Sequence, residues 1–414
     1  MVKRTDEVVF YGLEGELACE TPVHAGFGAR VGFIRLSRPY LPGSFLKGLV
    51  GLALARLVCV REELPADHTA CEHRHECPYA LLFGEYEAGK EPDVLFRFAY
   101  PIHEGCGGTF LPAPLSLLYC EDCGFTTGYD AEKRLHDLTA EPFCQRCDKG
   151  LRPFVGFVCD RCGFAISRPF RLDRVVRTAV DRRLSSAFWK PYRLGGMGEE
   201  ERAGSLHALD TVPSGTRLRL SVLLDARRAD FLDLFKEALA RCLPDEGIGG
   251  SSSRGLGKLS VRRLRVVEIS PDMVSARAEE IGPDGSFCLR LLSPAVVSPE
   301  QVRDGFLEPG SLLAYARKAY SKVFGRVPSL SGLRPVDGRF RCRATVVSGW
   351  SLKENRRKAL RSALDAGCVM EYAVSTERGG PLSEALASLE LLGLGKQRAG
   401  GYGHLAIEGV VGGM

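Results

Sequence analysis

The sequence predicts an α+β protein built from two tandem ferredoxin-like (RRM-like) units, the first interrupted by a metal-binding insertion. Three observations predict it. Glycine-rich segments at 249–259 and 395–405 match at an offset of 146 residues, pairing Gly249 with Gly395, Gly255 with Gly401, Gly257 with Gly403 and Leu259 with Leu405. Around them, both halves read β–α–(β)–β–α–glycine loop–β. Between the first helix and the regular structure after residue 165, cysteines crowd together, three pairs of them spaced Cys-x-x-Cys.

The elements follow in order. Val8–Tyr11 and Glu16–Cys19 read as a strand, and Gly26 and Gly28 mark a loop. Pro39 to Ser44 leads into an apolar run, Phe45–Arg56, of helix length, with Ser44 as its N-cap. Residues 61–165 are rich in Cys, Gly and Pro and poor in long periodic segments, so they read as an insertion. Regular structure resumes near Phe170. Thr216–Leu224 is a strand with partial alternation, and Ala229–Arg241 has helical periodicity. The first glycine loop and a strand over Leu259–Val267 close the unit at about residue 268. Residues 269–285 are polar and read as a linker. The second unit, 286–414, repeats the scheme with Phe287–Leu292 (strand), Ser311–Val323 (helix, capped by Ser311), Phe340–Val347 (strand), Ser383–Leu392 (helix), the second loop and Leu405–Ile407. A four-stranded sheet backed by two helices leaves one face for single-stranded nucleic acid.

Composition excludes several classes. At 414 residues, 45% hydrophobic and 26% charged, the chain is long enough for two or three ordinary cores. It has no run of 18 apolar residues, and Met1–Glu7 carries no apolar segment of the signal-peptide kind. A cytoplasmic location is expected. The net charge of +5 is mild, but eight Lys/Arg lie between Arg168 and Arg193 (among them Arg177, Arg182 and Arg183) against Asp173 and Asp181. That stripe suits a polyanion, and the bland reading is a solvated face.

The glycine loops are not nucleotide motifs. Around Lys258, Ser252 stands where a Walker A motif needs its first glycine and Leu259 where it needs Ser/Thr. Gly401–Ala406 fits a dinucleotide fingerprint but lies too near the C-terminal end of the chain for the helix and sheet that must follow. What remains is a helix-to-strand loop in which Gly249 and Gly250 let backbone N–H groups approach phosphates. Ser251, Ser252 and Ser253 add hydroxyls, and Arg254 and Lys258 add charge. In the second loop Arg398 and Tyr402 are the corresponding candidates. A tight turn without ligand is the bland reading, and its repetition in two units favours a ligand. The tetrapeptide Gly-Leu-Gly-Lys recurs at 255–258 and 393–396, but at an offset of 138, and reads as a decoy.

In a reducing compartment Cys-x-x-Cys spacing means metal rather than disulfides. Cys120/Cys123 and Cys144/Cys147, with 20 residues between the knuckles, have the spacing of a structural Zn(Cys)₄ site. Cys159/Cys162 form a third knuckle. Cys71 and Cys77 could complete a second site with it, or it could replace one of the other knuckles, with His68, His73 and His75 in reserve. One or two structural Zn2+ ions are expected.

Ser44-x-x-Lys47 matches a serine acyl-enzyme motif superficially, without the elements that complete such a site. As a helix start it is a phosphate seat, or a plain cap with an exposed lysine. His136-Asp137 lies in the cysteine module as a surface or packing residue. His24, in a loop after the first strand, stands where a general base could sit. Trp189, Tyr192 and Tyr402, beside basic residues, are candidate stacking platforms or core residues.

Pro42-Gly43-Ser44-Phe45-Leu46-Lys47-Gly48 resembles the helix start of the repeat-associated mysterious proteins (RAMPs) of CRISPR–Cas systems. The segment Gly249–Gly257 is similar to their glycine-rich loop. A narrower resemblance is to the subtype III-D branch of the subunit that binds the 5′ tag of the crRNA, carried by Pro112–Leu117, a cysteine-bearing stretch, Arg177–Arg183, Ser205–Leu209, Ser348-Gly349-Trp350 and Gly395–Gly403. The resemblance implies a non-catalytic subunit of a type III interference complex. It would grip the crRNA 5′ tag and contact the large subunit and the backbone RAMP subunits, with target RNA an indirect partner. Two alternatives stand beside it. One is a metal-independent endoribonuclease cutting repeat RNA, with His24 as base and Lys47 or Arg254 steadying the phosphate. The other is a scaffold that docks partners through its zinc module.

Overall fold

The computed structural model describes residues 7–59, 71–83, 92–178, 180–181, 186–187, 190–193, 200–203, 206–281, 285–351, 356–374 and 380–411. The first unit contributes β1 (Phe10–Cys19), α1 (Gly43–Val58), β2 (Val94–Phe96), β3 (Arg217–Asp225), α2 (Leu232–Glu246) and β4 (Leu259–Ile269). Its sheet has the order β4-β1-β3-β2, all antiparallel. Alternation in β1 explains the layering. Leu13 and Leu17 are buried in the core that also holds Leu46, Val50 and Leu54 of α1 and Phe235 and Leu239 of α2. Glu14 and Glu16 point to the other face.

Helix α3 (Pro271–Ile281) leads into the second unit: β5 (Ser286–Leu291), α4 (Pro309–Phe324), β6 (Leu333–Arg341), β7 (Val369–Val374), α5 (Pro381–Leu392) and β8 (Leu405–Val410). These strands take the order β6-β7-β5-β8, so both units share one element order and one strand order. One core runs from α4 and α5 through Phe287, Met370 and Tyr372 to Phe10, Leu95 and Leu223 of the first sheet.

Several expectations change. The segment expected as a linker folds as α3, burying Val274 and Ala278. Strand β2 lies inside the stretch assigned to the insertion. Helix α1 begins at Gly43, with Pro42 in the cap position, so Ser44 sits in the first turn. Helix α4 likewise starts at Pro309 after Glu308, ahead of Ser311. Strand 340–347 breaks after Arg341, and Ala344–Val347 pairs instead with Arg361–Leu364.

Neither main sheet offers an open aromatic face. On the first, the face away from the helices carries an ion-pair ladder: Arg265 with Glu14 (2.6 Å), and Arg263 and Arg217 with Glu16 (3.1 and 3.5 Å). On the second, the cysteine module of the first unit covers that face. Its strand Leu135–His136 pairs in parallel with β8, and Leu138 packs on Cys288 and Val369. His136, fully buried, joins the two bodies. Its Nε2–H donates to Glu408 (2.6 Å) and its Nδ1 accepts from Ser116 Oγ (2.7 Å). Burial holds the imidazole below its ordinary value. Burial opposes ionisation of Glu408, but Arg290, at 3.2 Å, and His136 outweigh it and hold the carboxyl at about 2.

Candidate nucleic-acid interface and metal clusters

The two glycine loops have the same backbone. Ser251 (φ 66°) matches Gln397 (φ 63°), each opening a short 3-10 turn in the left-handed region, and Gly255 matches Gly401 (both φ 85°). Ile248 N–H donates to Gly257 O (2.8 Å) as Leu394 N–H does to Gly403 O (2.9 Å). Gly257 N–H reaches Pro22 O and Gly403 N–H reaches Pro294 O, both at 2.9 Å. The 146-residue offset is therefore the structural one. At Gly257 and Gly403 a Cβ would run into the carbonyl oxygens of Ile248 and Leu394. These glycines serve the loop's own closure.

Surroundings separate the loops. In the first, Gly249, Ser253, Arg254 and Lys258 are exposed and Gly250, Ser251 and Ser252 half-buried. Several of its amides are used internally: Gly250 N–H donates to His24 O, Arg254 N–H to Ser251 O and Lys258 N–H to Thr21 Oγ1. The groups this loop leaves facing solvent are mainly side chains, those of Ser253, Arg254 and Lys258. Arg177, on the strand Asp173–Thr178, donates to Arg254 O (3.5 Å) and joins the basic stripe to the loop. Arg182, Arg183 and Trp189 lie outside the described residues, as do the surroundings of the Tyr192 side chain.

The later part of the second loop is turned inward: Ala399 to Gly403 are buried, while Lys396 and Gln397 stay exposed. Gly400 packs on Ser44, and a Cβ on Gly43 would stand 2.9 Å from Gly400 O, so this loop sits on the start of α1. Tyr402 is 6% exposed, edge-on to Phe98 and hydrogen-bonded to Ser44. Burial pulls Arg398 down to about 10. Lys47 is half-buried, and desolvation, helped by Lys358, lowers it to about 8. Of the expected RNA contacts Ser44, Lys47, Arg398 and Tyr402, Tyr402 is buried and the other three half-buried, and the chain's own second loop packs on the helix start expected as a phosphate seat. Arg97, directly after β2, reinforces the junction by donating to the carbonyls of Glu390 and Leu391 at the end of α5. Its charge complements that helix terminus.

His24 is 7% exposed. Its Nδ1 meets Asp210 O (2.8 Å), and its ring is walled by Gly26 and Gly250.

The cysteine module assembles two clusters, each able to hold a metal ion: Cys120, Cys123, Cys144 and Cys147, and His103, Cys106, Cys159 and Cys162. In the first, Cys120–Cys147 and Cys123–Cys144 sulfurs stand 3.5 and 3.4 Å apart. In the second, Cys106 and Cys159 sulfurs are 3.4 Å apart, and His103 Nδ1 lies 3.3 Å from both Cys106 and Cys162. A tetrahedral Zn–S site has sulfur–sulfur edges of about 3.7 Å, so these donors are already near ligating positions. The Cys123 amide directed at Cys120 pulls that thiol down to about 7, toward the thiolate a metal needs.

Four knuckles share one backbone. Residues 103, 120, 144 and 159 each donate N–H to the carbonyl five residues on, and each accepts from the N–H four residues on. The fourth-following residue has positive φ every time: Gly107, Gly124, Asp148 and Gly163. Cys71 and Cys77 join neither cluster; they flank a short 3-10 turn near α1. The partner of Cys159/Cys162 is His103/Cys106, brought close because Phe110–Pro112 pairs with Phe157–Cys159. His103-Glu-Gly-Cys106 followed by Gly107 has the same spacing as the Cys-x-x-Cys-Gly knuckles, and treating His as a knuckle ligand would have found it.

Residues 33–101, spanning α1 and β2, match the family model AF_1859_N, an N-terminal domain. No curated protein sequence matches the chain. Among solved structures it is similar to a chain of the Type III-B Cmr-beta bound to cognate target RNA, at 17% identity and TM-score 0.31 over 63% of this chain and 61% of that one. A chain of the same system, bound to cognate target RNA and AMPPnP, aligns at 10% identity and TM-score 0.42 over 87% and 86%. A chain of the Type IV-B CRISPR Complex aligns at 13% identity and TM-score 0.31 over 63% and 90%. Identity this low fixes no residue's role. Among the described residues no helix is long and apolar enough to cross a membrane.

Proposed function

We propose that this chain is a non-catalytic, RNA-gripping subunit of a type III CRISPR interference complex, with tandem ferredoxin-like RAMP units. Its first glycine loop would hold the crRNA near its 5′ tag, and other surfaces would meet the large and backbone subunits. The carrying observation is the exposed first loop, where Ser253, Arg254 and Lys258 stand in solvent and Arg177 joins them through the Arg254 carbonyl. Exposed cations at a glycine loop bind phosphates and position a strand. The shared order β–α–β–β–α–β, with the fourth strand beside the first in both sheets, supports the tandem ferredoxin-like reading. The two clusters are proposed as structural zinc sites, because each offers four donors at tetrahedral spacing.

The nuclease reading requires His24 to reach a ribose hydroxyl, and its ring is enclosed by the loop it would serve. The scaffold reading has support of its own, since the module already docks on the second sheet. Titration of the purified protein with tag-containing single-stranded RNA, without added magnesium, tests the proposal. Binding that steepens at low salt, with RNA length unchanged, is expected. A discrete cut lost in His24→Ala would replace it with the nuclease reading. Unchanged affinity in an Arg254→Ala/Lys258→Glu variant would refute the loop assignment.

A further inference from the structure

The first unit carries an extra four-stranded sheet with no counterpart among the described residues of the second. Its order is Asp173–Thr178, Leu206–Thr211, Ile34–Ser37 and Gly26–Val31. Arg30 and Arg35 lie directly opposite each other in the hairpin at its edge. Arg35 is level with Leu209, and Leu209 with Val175. Arg177, two residues beyond Val175, shares that face by alternation. One face therefore carries Arg30, Arg35 and Arg177, with the buried Leu209 between the strands and Asp173 at the far end, and Arg177 reaches the first glycine loop at Arg254.

Carboxylates do not balance this charge. Arginines elsewhere are held by acidic side chains, as in Arg262–Glu20, Arg265–Glu14 and Arg343–Asp365. Arg30 and Arg35 have no carboxylate partner among the described residues, and both are exposed. The acidic side chains of these four strands are Asp173 and Asp210; Asp210 is taken by Arg174 at 2.9 Å, and the exposed Asp173 leaves one carboxylate on this face against three arginines. Like charges directly opposite in a sheet are destabilising. The pair makes sense if an anion sits between them.

The hairpin also offers stacking surface. Phe27 and Phe33 are 46% and 52% exposed, and the Arg38 guanidinium lies 4.8 Å from the Phe27 ring centre. Cations beside exposed aromatic rings fit single-stranded nucleic acid. Strand addition by a protein fits less well. The register shifts between Gly26 and Arg30, and Gly28 (φ 90°) interrupts the edge ladder that a partner strand would extend.

We infer that this face is a phosphate track for single-stranded RNA, with Arg30 and Arg35 sharing one phosphate and Arg177 passing the strand to the first glycine loop. The inference rests on the RNA-gripping reading above. From Arg30 to the Arg177 strand is three inter-strand steps, roughly 14 Å.

Titration of a fluorescein-labelled uridine oligomer at several salt concentrations, with the full chain and with Arg30→Ala/Arg35→Ala, tests it. The variant should bind about tenfold more weakly at low salt, and its log–log salt slope should be shallower by about 0.7 for each phosphate no longer neutralised. Arg30→Lys/Arg35→Lys should recover most of the affinity. If wild type binds RNA and Arg254→Ala weakens it while the Arg30/Arg35 variant keeps wild-type affinity and slope, the track is refuted and the loop assignment stands. If wild type binds no RNA at any salt, both readings fall. If the double variant instead loses a polyglutamate peptide while binding RNA normally, the face is a protein-docking surface and the track is refuted.

Discussion

The two glycine loops share backbone torsions, internal hydrogen bonds and register, yet residues 253–255 of one face solvent while their counterparts 399–401 in the other are buried. Their glycines answer the same demand, a left-handed turn and a carbonyl too close for a Cβ. That demand comes from joining the second helix of each unit to its last strand, and it holds whether or not a ligand is present. What the loops do not share is exposed Ser253, Arg254 and Lys258 on one side, proposed above to meet RNA, and buried Ala399, Gly400 and Tyr402 beside α1 on the other. The most severe way to break the comparison is through the shared part. Gly257→Ala and Gly403→Ala should each cost about 4 kcal/mol, through a strained torsion and a clash with backbone, read as a drop in urea midpoint at unchanged slope. If only Gly403→Ala destabilises, closure is not a common requirement and the first loop's glycines serve a ligand.

The metal knuckles sharpen the same lesson. Four share a backbone, but their clusters differ in anchorage. The His103/Cys106/Cys159/Cys162 cluster is tied to the first unit: Ile102 N–H donates to Arg217 O (2.9 Å), and Arg219 donates to Gly107 O (2.8 Å). The sulfurs of the four-cysteine cluster are held by local ladders, Leu118–Tyr119 with Arg152–Pro153 and Thr126–Thr127, and the intervening strand Leu135–His136 ties that segment to β8 of the second unit. Cys159→Ser should therefore lower global stability by about 3 kcal/mol, and Cys147→Ser should mainly raise amide exchange around residues 118–153. Each should lower bound zinc by one equivalent, measured by metal analysis of the purified protein. A full zinc content in either variant would refute the ligand set.

Much of the frame was legible because it is periodic. The alternation in β1 and β3, the apolar run of α1 and the Cys-x-x-Cys spacings are local, and local patterns survive in a sequence. The pairing offset of 146 was legible because glycine at a left-handed position has few substitutes. What the sequence hid was tertiary. Nothing in Tyr402 or Arg398 says that a loop in one unit will close over the helix start of the other. Nothing in His136 says that its strand will extend the second sheet and meet Glu408, 272 residues away. Residues 269–285 read as linker because α3 buries only two small apolar positions, Val274 and Ala278. Arg30 and Arg35 carry no signal in the sequence, because a pair of arginines acquires meaning only from the cross-strand register.

The mildest test separates the loops by what each arginine does. Arg254 is exposed, whereas Arg398 is half-buried against the helix end at Gly393 and lowered to about 10 by desolvation. Arg254→Ala should weaken RNA binding by about 1 kcal/mol, fivefold or more, and leave the thermal midpoint within a degree or so. Arg398→Ala should do the reverse, shifting the midpoint with RNA affinity unchanged, because its guanidinium is desolvated and donates to the Gly393 carbonyl of its own unit. The sign of that stability shift is itself informative. A desolvated cation is costly to bury, so a gain in stability would mean that its hydrogen bonds do not offset its burial. A loss would mean that the side chain's packing outweighs the desolvation. If Arg398→Ala weakens RNA binding as much as Arg254→Ala does, the inward loop opens toward RNA in solution, and the two loops act as one pair of clamps.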